Sequence, residues 1–346
     1  MKKNTIIILF LVLLYARSLK AQDYHVSHYD VAYLYMNAAT TGMYGNTPAD
    51  YQACLDQRSQ WRTSGIKPFL TSYLQFDMPY TVKGKNIGLG AYLLNNNGGL
   101  GGFNTLTFML SGSYDILGKP ARTSASLSNG AKHLLTMGLQ VGLFYRSTNP
   151  NALNYDVQYS LAQNGGSFDQ SISSNEYYNR INITRFDANY GLFYKYLERG
   201  RKAHPYFGFS MAHLTMPNES FTGGETRMPI KYTFYGGCEL KLNDKMDLIP
   251  RLYYMNQAKA SELSAGLLYY YRLNDDDVKL LLGFDYRWKD ACVAAVGLKK
   301  DKYALRFSYD INTSYLKNYT NGRGAWEISL VYVGKKAAGA SAAQFN

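Results

Sequence analysis

Hydrophobic and polar side chains alternate along most of this chain. In 303–312, Leu305, Phe307, Tyr309 and Ile311 fall on one face, and Arg306, Ser308, Asp310 and Asn312 fall on the other. Within 280–289, Leu280, Leu282, Phe284, Tyr286 and Trp288 oppose Gly283, Asp285, Arg287 and Lys289. The same split separates Leu139, Val141, Leu143 and Tyr145 from Gly138, Gln140, Gly142 and Arg146. It recurs in 186–196, where Phe186, Ala188, Tyr190, Leu192, Tyr194 and Tyr196 oppose Asp187, Asn189, Gly191 and Lys195. A period of two predicts extended strands, each with one apolar and one polar face. Strands of soluble proteins usually have about five or six residues; a tilted strand that crosses a bilayer needs about ten.

Fourteen such segments are predicted: 51–63, 69–80, 86–94, 104–117, 132–147, 181–198, 203–215, 229–243, 246–256, 261–273, 279–289, 291–299, 302–312 and 324–334. Outer-membrane barrels combine short periplasmic turns with longer external loops. With both termini periplasmic, the long links 95–103, 148–180, 216–228 and 313–323 fall outside. The short links 199–202, 243–245, 274–277 and 300–301 fall on the periplasmic side, and 118–131 is the one long exception there. The expected fold is therefore all-β: a transmembrane outer-membrane β-barrel of about 14 antiparallel strands. A large soluble β-sandwich would need a core able to absorb far more long strands than such folds carry. No repeat of solenoid or propeller period is present.

The ends read differently. Lys2 and Lys3 precede an apolar run from Ile6 to Leu14, too short to span a bilayer, as in a secretory signal peptide with cleavage after Ala21. The expected organisation is a signal peptide at 1–21, a periplasmic or plug-like segment at 22–50, the barrel at 51–334 and a frayed tail at 335–346. No later apolar stretch reaches 18 residues, which excludes membrane-crossing helices. Of the formal +12, the first 21 residues hold Lys2, Lys3, Arg17 and Lys20 and no acid, leaving +8 afterwards. The basic residues are scattered, unlike a nucleic-acid footprint, and suit anionic head groups at a barrel rim. The 33 tyrosines are the compositional outlier, and Tyr suits a surface half apolar and half wet. Tyr80, Trp288, Tyr303 and Trp326 stand near segment ends, as in interfacial girdles.

Candidate chemistry is sparse. Cys54, Cys238 and Cys292 have neither disulfide nor metal spacing. His25 and His28, with Asp23 and Asp30 nearby, superficially suggest a metal site, but they follow the expected cleavage point directly, away from any predicted strand. Asp275-Asp276-Asp277 lacks the alternate spacing of a calcium loop and reads as a solvated turn. Asn96 to Gly102 is Gly-rich but lacks the Lys-Ser/Thr and helix of a phosphate cradle, and reads as a flexible loop. No GxSxG or HExxH occurs. Catalytic, cofactor and metal residues are accordingly expected to be none.

Several segments, in order, resemble the PorP/SprF family of the type IX secretion and gliding system. They are Tyr35 to Gly42, including Asn37; Arg58-Ser59-Gln60-Trp61 followed by Phe76-Asp77-Met78-Pro79; His204 to Leu214; and Phe307 to Ser314, with Asp310 and Asn312, followed by Gly322-Arg323-Gly324-Ala325-Trp326-Glu327. Ala38 and Thr40 replace the family's usual proline and aromatic in the first stretch. The resemblance implies a non-enzymatic outer-membrane barrel that supports secretion or surface retention of an adhesin bearing a type IX C-terminal domain. It also implies periplasmic ring or motor components as partners, beside outer-membrane lipid. The residues themselves leave open a passive porin or hydrophobic-solute channel, a scaffold barrel, and a site assembled from distant strands. The external loops, 148–180 above all, carry the Tyr and Asn suited to capture, or to packing over the barrel mouth. Arg58, Asp77, Asp310, Arg323 and Glu327 read as an inward salt-bridged wall or plug network.

Overall fold

The computed structural model describes residues 23–334, apart from 44–49, 63–66, 84, 118–131, 162–164, 199 and 274–277. The expected signal peptide, the 335–346 tail, the 118–131 link and the Asp275-Asp276-Asp277 turn thus lie outside the described residues.

Fourteen antiparallel strands of ten to fifteen residues close into one barrel. In chain order they are β1 (Tyr51–Gln60), β2 (Phe69–Val82), β3 (Lys85–Gly98), β4 (Phe103–Asp115) and β5 (His133–Ser147), then β8 (Asn182–Tyr196), β9 (Ala203–Ala212), β10 (Lys231–Lys241), β11 (Met246–Gln257), β12 (Ala260–Leu273), β13 (Val278–Arg287), β14 (Ala291–Lys300), β15 (Tyr303–Asn312) and β16 (Arg323–Gly334). The remaining pair, β6 (Tyr159–Ser160) and β7 (Ser167–Phe168), forms a two-residue ladder within one loop. Each barrel strand pairs with its chain neighbours, and β1 meets β16 from Tyr51↔Gly334 to Gln60↔Ala325, so no edge is left unpaired. In hydrocarbon, where no water satisfies a free N–H or C=O, closure is what makes a sheet tenable. No helix among the described residues is long and apolar enough to cross a membrane.

The alternation holds as expected. Leu305, Phe307, Tyr309 and Ile311 point outward and are exposed, while Arg306, Ser308, Asp310 and Asn312 point inward and are buried. Leu139, Val141 and Leu143 are likewise outward, with Gln140 and Phe144 inward. Such an inverted surface, greasy outside and polar inside, is stable only with lipid tails against the wall. Trp288 and Tyr303, outward and near strand ends, stand at girdle positions.

The two barrel ends differ. At one, β1 begins and β16 ends; the other carries the loops 148–181, 213–230 and 313–322, together with the short links 258–259 and 288–290. One long link is shorter than expected. Asn95 to Gly98 stay in register with Leu106 to Phe103, and the Asn96 amide donates to Thr71 Oγ1 at 2.8 Å. The paired ladder and inward amide extend β3 through what the Gly-rich composition suggested was loop.

Replacing Phe307 with Arg is expected to cost folding into lipid about 2–4 kcal/mol, the penalty for a guanidinium near the midplane of a barrel's lipid face. Urea titration of refolding into phospholipid vesicles measures it; a neutral effect would place lipid on the other face.

Candidate functional site: a plugged lumen and a tyrosine-bearing rim

Residues 23–43 lie inside the barrel. Asp23 sits at the long-loop end, where its carboxylate meets Nε2 of His213 at 2.7 Å and the Lys231 ammonium at 3.0 Å. Nδ1 of His213 meets Asp187 at 2.5 Å. With both ring nitrogens on carboxylates, this histidine is a charged latch and not a base waiting for a nucleophile. The two carboxylates raise its pKa to about 9 against the cost of burial, and Lys231 and His213 hold Asp23 well below the usual carboxylate range. Tyr24 stacks on Tyr35, and the Lys231 ammonium lies 4.3 Å from the centre of the Tyr35 ring.

From there the segment runs down the lumen toward the end where β1 begins. Two ion clusters tie it to the wall. At the closing seam, Arg58 of β1 donates to Asp310 of β15 and Glu327 of β16, both at 2.9 Å, and to Ser27 Oγ at 2.8 Å. Arg287 donates to Asp310 at 2.8 Å and Asp290 at 2.5 Å. Glu327 also accepts the backbone N–H of Ser27 at 2.8 Å and of His28 at 2.6 Å. One turn further, Asp30 accepts from Arg251 and Arg306, each at 2.7 Å, and Arg251 also binds Asp285. Arg251 lies over the Tyr29 ring, which stacks on Tyr253. Buried charge of this kind tolerates no missing partner: removal of one member of a buried pair costs about 3–5 kcal/mol.

A short helical turn, Tyr33–Met36, and a 3₁₀ turn, Ala38–Thr40, follow. Asn37 joins them. Its Oδ1 accepts the Ala39 N–H at 2.8 Å, and its Nδ2 donates to the carbonyls of Leu192 and Phe209 at 2.9 and 3.2 Å. The berth is floored by glycine. A Cβ on Gly191 would stand 1.9 Å from Asn37 Oδ1, one on Gly138 2.3 Å from the Ala38 carbonyl carbon, and one on Gly88 1.8 Å from the Thr41 oxygen. Glycines on the wall, facing Ala38 and Thr41 of the segment, let two backbones touch. Gly42, at φ +66°, then turns the chain and donates to Asp77 at 2.6 Å; Asp77 also accepts the Tyr33 hydroxyl at 2.5 Å.

The positions singled out by sequence sort into three places. Asn37, Gly42 and Asp77 seat the segment, and Arg58, Asp310 and Glu327 form the seam cluster. Gln60, Trp61, Asn312, Gly322, Arg323 and Gly324 meet at the long-loop corner: the backbone N–H of Trp61 donates to the Gly324 carbonyl at 2.7 Å, and the Asn312 side-chain amide donates to Thr320 Oγ1 and the Arg323 carbonyl, both at 3.0 Å. Gly322 adopts φ +76°, and a Cβ on Gly324 would stand 2.5 Å from the Asp310 carbonyl oxygen. The side chain of Arg323 is exposed and outside the ion clusters, contrary to its expected place among the inward charges, because it opens β16 at the rim where solvent reaches it. Sequence reasoning named Asp30 only as a neighbour of His25 and His28, placed Arg306 only on the polar face of its strand, and did not single out Asp56 or Arg251, for which inward parity on their strands was the available signal.

Outside this network, the long-loop end exposes aromatic side chains. Tyr177, Tyr315 and Tyr319 are 84%, 91% and 76% exposed. The loop that bears Tyr177 is braced from within. Tyr155 and Tyr178 hydroxyls meet at 3.2 Å, and buried Gln158 donates to the Ile172 carbonyl at 2.9 Å. Toward the other end, a cavity of about 300 Å³ opens among Tyr29, Met36, Phe193, Tyr206, Tyr235 and Arg251.

A family model of type IX secretion system membrane proteins, PorP/SprF, matches residues 18–332, nearly the whole chain. The chain belongs to the PorP/SprF family. It is a membrane β-barrel of the type IX secretion system, located in the outer membrane. Among solved structures it is similar to the Ralstonia pickettii toluene transporter TbuX, at 11% identity over 88% of this chain and 94% of that one, with a TM-score of 0.51. The P. putida toluene transporter TodX is 12% identical over 87% and 93%, with a TM-score of 0.44. At 11% identity the likeness to TbuX is one of fold alone. No curated protein matches the chain.

Two outcomes follow from this PorP/SprF geometry. Gly191→Val is expected to unseat residues 37–42 while the barrel still forms, seen as new protease cleavage within 23–43 in detergent with unchanged heat-modifiable migration. The Asp23–His213 latch has a pH window. Its histidine contribution is complete below about pH 6.5 and fades as pH rises through 9, and its aspartate contribution is complete above about pH 4 and fades in acid. Hydrogen exchange at 23–30 is expected to be slowest between roughly pH 4 and 6.5, after correction for intrinsic rates, and to accelerate toward pH 10.

Proposed function

We propose that this barrel works as a closed outer-membrane platform that supports secretion or surface retention of an adhesin-type protein with a type IX C-terminal domain. The observation that carries the reading is the filled lumen: a segment held by buried ion pairs and backbone-to-glycine contacts occupies the path a solute would take, so the working surface is the rim. With the long-loop end outside, exposed Tyr177, Tyr315 and Tyr319 face the secreted protein. Tyrosine gives large contact area at low entropic cost. The opposite end, where β1 begins, faces the periplasm and any ring or motor component of the system. A cleaved signal peptide at 1–21 delivers the chain there.

A second reading, passage of a hydrophobic solute, draws on the aromatic cavity of about 300 Å³ and on one solved structure of this fold, TbuX, whose name describes it as a toluene transporter. Two measurements separate the readings. Deletion of 152–178 is expected to leave the barrel in the outer membrane and release a specific surface protein into the medium. In planar bilayers the intact protein is expected to show no steady ohmic conductance. Unchanged retention of every surface protein, or an open conducting state, would count against the platform.

A further inference from the structure

We propose that His28, Asp56 and Glu327 bind a divalent transition-metal cation, with zinc the best match, and that the ion pins the lumenal segment to the closing seam of the barrel. His28 Nδ1 lies 3.4 Å from Asp56 Oδ2 and 3.6 Å from Glu327 Oε1, and one donor atom from each residue falls within 4.8 Å of the others. Ligands at the usual 2.0–2.2 Å from tetrahedral zinc are separated by about 3.3–3.6 Å, which the distances from His28 Nδ1 to both carboxylates match. The donor set, one imidazole and two carboxylates, leaves a position for water.

The second observation is the absence of partners. Both nitrogens of His28 and both carboxylate oxygens of Asp56 are buried without a hydrogen bond among the described residues, at 1% and 4% residue exposure. Unsatisfied buried carboxylate costs several kcal/mol and is rare in folded proteins. Ser329, opposite Asp56 in the ladder, and Ser308, opposite Glu327, also have unpartnered hydroxyls. A cluster of orphaned polar groups therefore lines one patch of wall. Charge points the same way. The seam cluster holds Asp310, Glu327 and Asp290 against Arg58 and Arg287. Asp56 adds a carboxylate to which no arginine among the described residues is bound, and a divalent ion would offset its charge. Arg58, on Glu327 Oε2, fixes the orientation of that carboxylate, as outer partners of metal ligands do. His25, the other histidine of the segment, turns away to Glu262 at 3.3 Å, so the pair suggested by sequence divides between two places.

The test uses the full chain with a tag free of histidine, purified in detergent, exposed to Zn²⁺ and dialysed against metal-free buffer. Elemental analysis is expected to find about one zinc per chain in the wild type and in His25→Gln, and at least about tenfold less in His28→Gln and Asp56→Asn. Heat-modifiable migration checks that each variant has folded. Should the variants fail that check, Co²⁺ titration of the wild type decides: intense visible bands of four-coordinate cobalt support the site. A wild type that retains no zinc and gives no such bands, or a folded His28→Gln that keeps its zinc, overturns the proposal and leaves a water-filled polar pocket.

Discussion

The architecture depends on the guanidinium of Arg58, placed where the two ends of the barrel meet. It bridges carboxylates on β15 and β16 and reaches Ser27 of the lumenal segment, so one side chain joins barrel closure to plug seating. Inside a membrane barrel such a charge has no bulk water to turn to. Its stability rests on simultaneous partners from three parts of the chain, and the same condition fixes the position of the segment: Ser27 and His28 offer their N–H groups to Glu327, which that carboxylate needs to be satisfied. Removal of any partner leaves a buried ion exposed to a low-dielectric surrounding, which makes the arrangement cooperative.

The rest of the lumen follows from that anchor. Once Ser27 is fixed at the seam, Asp30 arrives between Arg251 and Arg306, and the chain can only continue toward the glycine-floored berth of β3, β5 and β8. The berth is steric where the seam is electrostatic. Its specificity comes from missing side chains, which admit the backbone of residues 37–42 at contact distance. The two modes complement one another: ion pairs hold the segment strongly in any nearby position, and close backbone packing selects one.

Tyrosine illustrates how one residue type serves three environments. On the outer wall Tyr303 and its neighbours stand at girdle height. Within the lumen the rings of Tyr24, Tyr29, Tyr33 and Tyr35 are packed away from solvent; the Tyr33 hydroxyl donates to Asp77, and the Tyr35 hydroxyl donates to the Tyr24 carbonyl and accepts from Lys231. At the rim Tyr177, Tyr315 and Tyr319 project into solvent. The high tyrosine content thus reflects the demand for a residue that can be apolar along its length and polar at its tip, in a protein with little ordinary core.

By itself the sequence determined the barrel. Alternation of period two and strand length depend only on local order, and lipid outside a polar interior is the one setting in which fourteen such segments can all be satisfied; the segments predicted at 51–334 therefore match the observed strands to within a few residues. Spacing along the strand put Asp310 on the inward face, and the family resemblance singled out Arg58 and Glu327, which read with it as inward charges. The sequence could not pair them, because Arg58 and Glu327 stand 269 positions apart and meet only when β1 closes on β16. Nor could it show that residues 23–43 fill the lumen, that Gly138 and Gly191 are floor and not merely small, or that His28 parts from His25 to face Asp56. Those facts belong to contacts between distant strands and a segment with no periodicity of its own, and only the closed tertiary structure brings them together.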